Sequence, residues 1–270
     1  MALPAAATCY ITDAVPVVAR GISLSEEQVD AVLAGPVKDI LQDTSGNAEL
    51  HSLLASIATT DFEQQGLKSL LVKESTPEDW LVGEAIAESY VAEYGSCVFP
   101  WPTSRDLKNP EASPTGADLT GFQRLDDVNL PYRFAFGEVK TSFEEKYPPQ
   151  VMYGRTGLKN QLEGLRDSDL VKGSLVKYLG FHAVNALWCE MFRSAAKRYL
   201  SSGSSDIAIF GVLIRDVVPN NNDLSHRASS LAKDCPANTS IALYAVYLPL
   251  KSIVTLSERA LLAMGAGSSK

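Results

Sequence analysis

Glu138 and Lys140 stand out for the company they keep. In the run YRFAFGEVKTS, residues 132–142, aromatic side chains give way to these two charges, one apolar residue apart. Residues i and i+2 of a strand share a face. Phe134, Phe136, Glu138 and Lys140 therefore line one side, and the small residues Ala135, Gly137 and Val139 the other, which suits a helix packed close. Charges are rarely buried without a partner, so this profile predicts a strand leaving a core for the floor of a polar cleft. Acid-x-Lys triplets recur at Asp106-x-Lys108 and Glu144-x-Lys146. The first lies in a Pro-rich loop and the other just before Pro148, and both are predicted to be solvated. A surface ion pair worth about 0–1 kcal/mol is the plainer reading of Glu138 and Lys140.

The preceding run ADLTGFQR decides between these readings. If LDDVNLP is a turn centred near Val128, the two runs form an antiparallel hairpin that sets Asp118 opposite Glu138. Opposed residues have Cβ atoms about 4.5–5.5 Å apart, so two carboxylates there repel unless a cation lies between them. Lys140 supplies one positive charge, and a divalent ion supplies more. A third acid comes from the predicted helix WLVGEAIAESYVAEY, opened by Thr76 as N-cap with Pro77 at N1 and closed by Gly95. Trp80, Ala87, Tyr90, Val91 and Tyr94 fall on one apolar stripe. Glu84 sits at its edge and is the acid best placed to face the sheet; Glu88 is the second choice. Glu84, Asp118 and Glu138 would be hard oxygen donors for Mg²⁺ or Mn²⁺, an ion that can activate water for phosphodiester cleavage. Lys140, kept protonated by its acidic neighbours, would orient that water and offset developing charge.

The elements that must position these groups are an α/β set. A short strand, CYITDAVPVVA, and helices occupy residues 1–75, with Ser25 and Gln28 spaced as a capping box. Helix is predicted over 156–200, 222–234 and 251–264, and strand over IAIFGVLIRDVV and SIALYAVYLPL. This alternation predicts a central mixed sheet flanked by helices. Residues 76–270 form the chemical domain, and residues 1–75, without chemistry of their own, are assigned to docking a partner.

At 270 residues and net charge −8, the chain is large enough for a sizeable core but too acidic to grip DNA by charge alone. Cys9, Cys97, Cys189 and Cys235 show neither metal nor disulfide spacing and are read as reduced, buried thiols. His51, His182 and His226 show no ligand spacing. No basic residue precedes Arg20, and no apolar run approaches the roughly 20 residues that span a bilayer. Together these features predict a soluble, cytoplasmic protein.

GEAIAESY, GADLTGF and FAFGEVKTS together resemble the PD-(D/E)xK nuclease superfamily, and more narrowly the HamA family, nuclease subunits of Hachiman antiphage defence systems. The resemblance runs over residues 80–250, with Ala117 where the superfamily pattern has proline. It implies a restriction-endonuclease-like core with an N-terminal extension and a Mg²⁺- or Mn²⁺-dependent DNA endonuclease. Glu84, Asp118, Glu138 and Lys140 would be its active-site set, and an ATP-driven helicase subunit, HamB, its restraining partner. By the same likeness Gln161 or Lys159, in GLKNQLEGL, would add a polar group from the helix after the lysine strand. The alternative is a non-catalytic nuclease-fold subunit that binds DNA or the helicase.

Two further features bear on DNA. Between 152 and 200, Arg155, Lys159, Arg166, Lys172, Lys177, Arg193, Lys197 and Arg198 outnumber the acids, as a solvated helix face or a phosphate-tracking stripe. Trp101, in FPWP, either stacks on a base or packs over the core edge. GRTGLKN lacks P-loop spacing, so no nucleotide site is expected.

Overall fold

The computed structural model describes residues 3–71, 76–106 and 116–265. Lys108 of the first acid-x-Lys triplet and the end of the Gly/Ser tail lie outside them. The strands are β1 (Ala7–Ala14), β2 (Val17–Ser23), β3 (Cys97–Val98), β4 (Leu119–Arg124), β5 (Tyr132–Ser142), β6 (Ile207–Arg215) and β7 (Ser240–Tyr247). They form one mixed sheet in the order β1-β2-β7-β6-β5-β4-β3. The centre, β2-β7-β6-β5, is parallel, and the pairs β1-β2, β5-β4 and β4-β3 are antiparallel. Every residue of β6 is buried, which fits its unbroken IAIFGVLI run, because a strand covered on both faces needs no polar alternation.

Helices cover both faces. On one side lie α1 (Glu26–Val32), α2 (Lys38–Leu41), α5 (Asp79–Tyr94) and α10 (Leu256–Gly265), which pack with Ala135, Val139 and Val212. On the other, α6 (Leu158–Asp167), α7 (Asp169–Ala183), α8 (Cys189–Ser201) and α9 (Ser225–Ala232) pack with Phe134, Phe136 and Leu213. A hairpin of α3 (Thr44–Ala55) and α4 (Asp61–Leu71) follows α2 and buries little beyond Leu67. Among the described residues no helix is long and apolar enough to cross a membrane.

Several local expectations are met by the geometry. The Ser25 hydroxyl accepts the Gln28 N–H at 3.3 Å, and the Gln28 side chain accepts the Ser25 N–H at 2.8 Å. YRFAFGEVKTS is β5 from end to end.

Others are corrected. CYITDAVPVVA is two antiparallel strands turning at Val15–Pro16, and the second adds to β7 in parallel, so the first residues extend the central sheet. The helix expected over 156–200 is three helices. Ser168 interrupts it by capping α7, accepting the Val171 N–H at 3.3 Å, and Asn185 (φ 64°) ends α7. Helix α5 begins at Asp79, later than Thr76, with no side-chain cap. The Asp79 carboxylate instead accepts the N–H and hydroxyl of Ser257, tying α5 to the start of α10. The expected apolar stripe of α5 is met at Ala87, Tyr90 and Val91, which are buried, and departs at its two ends. Trp80 and Tyr94 are 37% and 43% exposed, while Val82, Ala85, Ile86, Tyr90 and Val91 are buried. A helix clasped between a sheet and other helices is buried on several sides and shows no single stripe. Of the four free cysteines only Cys97 is buried, and Cys9 is exposed.

The contact of α5 with β5 is close because Gly83 carries no side chain. A Cβ there would collide with the Thr141 hydroxyl. Gly83→Val is therefore expected to lower unfolding free energy by about 1–3 kcal/mol, as overpacking does, measured by urea denaturation.

Candidate active site

The β4–β5 hairpin has the anticipated register, with Leu119 opposite Gly137 and Phe122 opposite Phe134. Strand β4 begins only at Leu119, however, so beyond Gly137 β5 keeps β6 on one side and has an open edge on the other. Asp118 fills that edge with its side chain: Oδ2 accepts the Val139 N–H at 2.7 Å. A carboxylate thus completes one rung of the ladder that the missing strand would have made.

Glu138 and Lys140 share the β5 face of Phe134 and Phe136, as alternation requires. Glu138 is 2% exposed, and its Oε1 accepts from Lys140 Nζ at 2.6 Å; the Lys140 side chain is 21% exposed. The Asp118 carboxyl group is also near enough to Glu138 to raise its pKa. Glu84, half-buried on α5, approaches from the other layer, round the edge that β4 leaves free, and feels both acids and Lys140.

Three carboxylates and one ammonium leave this half-buried cluster short of positive charge at neutral pH. Burial, reinforced by Asp118 and Glu138, pushes the Glu84 carboxyl up to about 8. Burial and Asp118 push Glu138 up to about 7 against the pull of Lys140. Asp118 is raised by burial and held back by the Val139 N–H and Lys140. Glu88, one turn along α5, is pushed up to about 7 by burial alone. A proton or a further cation must balance such a set.

Donor chemistry fits a hard divalent cation: carboxylate oxygens, excess negative charge and a neighbouring lysine. The expected three-ligand shell is nevertheless not assembled. Among the described residues no group of three His, Cys, Asp or Glu side chains is arranged to hold a metal ion. One oxygen of Asp118 is engaged by Val139 and one of Glu138 by Lys140. Glu84, Asp118, Glu138 and Lys140 are gathered as a charge cluster, not as a coordination sphere.

Substitutions at Asp118 separate its two roles. Asp118→Asn keeps an oxygen for the Val139 N–H and is expected to fold like wild type while weakening any cation binding. Asp118→Ala leaves that N–H unpaired and is expected to cost about 1–3 kcal/mol in addition, read by denaturant unfolding of both variants.

Glu84, Glu88 and Asp118 line a cavity of about 40 Å³, roofed by Ile40, Leu41, Pro102 and Ser104. A larger cavity of about 810 Å³ lies between residues 143–147, 216–218 and 250–254. Two of its three acids are engaged locally, Asp216 with the Ile253 N–H at 3.0 Å and Glu144 with the Gln150 N–H at 2.7 Å. Glu145 and Lys251 also line it, but among the described residues no ion pair joins Lys251 to these acids, and the chemistry is assigned to the smaller space, where Glu84 and Asp118 meet.

The remaining candidates are placed apart from the cluster. Lys159 and Gln161 lie half-buried on α6, and among the described residues no side-chain hydrogen bond or ion pair joins either to the four charges. Half of the basic run is spent on internal partners: Arg166 on Asp167, Lys172 on Asp169, Arg193 on Glu190, and Arg198 on Asp127 and Asp206. Trp101 stacks on His182, with centroids 4.1 Å apart, and Arg105 lies over its ring. Asp106, expected to be solvated, accepts from Trp101 Nε1 at 3.2 Å and from the Tyr178 hydroxyl at 2.5 Å. Pairing of Arg105 with Asp43 beside the cavity was not legible in the sequence, because partners so far apart along the chain leave no local pattern.

A scan against protein-family models finds no match to this chain, and a search of curated proteins finds none.

Proposed function

We propose that this chain is a metal-dependent DNA endonuclease of the PD-(D/E)xK type, acting as the effector of an antiphage defence complex of the Hachiman kind. The observation that carries the chemistry is the convergence of Glu84, Asp118 and Glu138, from a helix and two adjacent sheet segments, around Lys140 at the open edge of β5. Glu84, Asp118 and Glu138 would hold Mg²⁺ or Mn²⁺. When bound, such an ion supplies Lewis acidity and lowers the pKa of water.

The chain's own residues do the rest. Buried Glu138 fixes the Lys140 ammonium, which orients the attacking water and offsets negative charge growing on the phosphoryl oxygens. Asp118 is pinned through one oxygen by the Val139 N–H, which holds its carboxylate at the edge of β5. Glu84, whose carboxyl is pushed up to about 8 by burial and its acidic neighbours, carries a proton until a cation displaces it. With net charge −8, the chain draws much of its hold on DNA from a partner, for which a helicase subunit, HamB, is the proposal.

A test is incubation of the purified chain, alone and with the helicase, with plasmid DNA and Mn²⁺. Nicked or linear product that disappears with chelator is expected. Intact DNA under all these conditions would count against the enzyme. One observation favours a second reading, a nuclease-fold subunit without catalysis: Lys140 and Val139 already engage one oxygen each of Glu138 and Asp118. Saturable Mn²⁺ binding separates the two, since a scaffold needs none.

A further inference from the structure

Residues 99–106 leave β3 and cross the cavity. Pro102 and Ser104 from this strap, with Ile40 and Leu41 from α2, roof the roughly 40 Å³ that Glu84, Glu88 and Asp118 line. A water needs about 10–15 Å³ of space of this kind, so the cavity admits a few waters. Magnesium keeps several of its waters and adds substrate phosphate oxygens. Cation and phosphodiester together therefore need the roof lifted.

Charge fastens the strap on two sides. Arg105 Nε donates to Asp43 Oδ2 and Nη2 to Oδ1, each at 2.7 Å, a two-pronged pair in which both side chains are 19% exposed. Asp43 is the N-cap of α3, and its Oδ1 also accepts the Gly46 N–H at 3.2 Å. The next strap residue, Asp106, holds Tyr178 and faces His182 Nε2 at 3.3 Å, both on α7. One short segment thus bridges the N-terminal helices and the opposite layer. Beside it runs an open groove of about 520 Å³, bordered by Asp43, Ser45, Glu88, Phe99 and Pro102, so the strap and α3 have space to part.

We infer that residues 99–106 are an autoinhibitory strap over the candidate active site, latched by the Arg105–Asp43 pair, and that a nucleic-acid phosphate opens it by replacing the Asp43 carboxylate on Arg105. The inference rests on the nuclease reading for its purpose and on geometry for its existence. A guanidinium fork takes phosphate in the same two-pronged fashion as carboxylate. Arg105 is in this view a substrate-binding residue held in reserve, and the pair biases an equilibrium between closed and open forms.

Asp43→Asn tests the latch with least damage, because it removes the charge and retains an oxygen for the Gly46 N–H; Arg105→Ala is the second variant. In both, amide hydrogen exchange across 99–106 and Mn²⁺ affinity by calorimetry are expected to rise about tenfold, a common size for such linkage. A short DNA duplex added to wild type is expected to speed exchange in 99–106. Faster exchange and tighter Mn²⁺ without DNA cleavage would uphold the strap and reject the nuclease. Cleavage by wild type, with neither variant altering exchange or Mn²⁺ affinity, would reject the strap and leave the nuclease standing. Duplex that leaves wild-type exchange unchanged would overturn phosphate as the opener.

Discussion

Replacing Glu138 and Lys140 together by alanine is expected to abolish cation-dependent DNA cleavage, by about 1,000-fold or more, and to leave a folded protein. Glu138 is almost fully buried and its ion pair is short. Removing only Lys140 strands a buried carboxylate against Asp118, and breaking a buried pair on one side costs about 3–5 kcal/mol. Removing both partners leaves a small void but no uncompensated charge. The double variant is therefore expected to be more stable to urea than Lys140→Ala alone, while having no activity to recover. A double variant that cuts DNA like wild type, or protects cells from phage equally well, would remove these residues from the chemistry.

The second large effect is on stability against pH. The Glu84 carboxyl moves from 4.5 in the open chain to about 8 in the fold, and Glu138 from 4.5 to about 7. Between those values the folded state holds protons that the unfolded state has released. Stability must then fall as pH rises from about 5 to about 8, the reverse of the trend for a salt-bridged acid with a lowered pKa. Each unit separating a folded and unfolded pKa is worth about 1.4 kcal/mol. Partial solvent exposure of Glu84 and the mutual influence of Asp118 and Glu138 reduce the total to about 2–3 kcal/mol. Mn²⁺ is expected to restore the loss at pH 8 and to have little effect at pH 5, where the carboxyls are protonated. Urea melts at the two pH values, with chelator and with Mn²⁺, measure this. Stability that climbs steadily through this window in chelator would contradict the charge-deficient cluster.

How far the sequence could be read depended on how local each signal was. The hairpin register follows from alternation and the length of one turn, so the approach of Asp118 to Glu138 could be worked out from residues twenty apart. Early termination of β4 at Leu119, which opens the edge and hands Val139 to the Asp118 side chain, has no mark in ADLTGF. The β1–β2 turn escaped notice because AVPV is apolar and lacks the Asn-Gly or Asp-Gly of common hairpins. Helix α5 misled by its surroundings: helices on both sides of it bury faces that an isolated amphipathic helix would expose. Arg105–Asp43 and Asp79–Ser257 join segments distant in sequence, and such pairs are visible only after folding. The placement of the four charges was therefore accessible, whereas the strap above them was not.

The most direct measurement is calorimetric titration of Mn²⁺ into wild type and into Glu138→Gln at pH 8. One saturable site in wild type, lost in the variant, is the predicted result. Equal binding by both proteins, or none by wild type up to millimolar ion, would contradict the claim that these carboxylates share a cation.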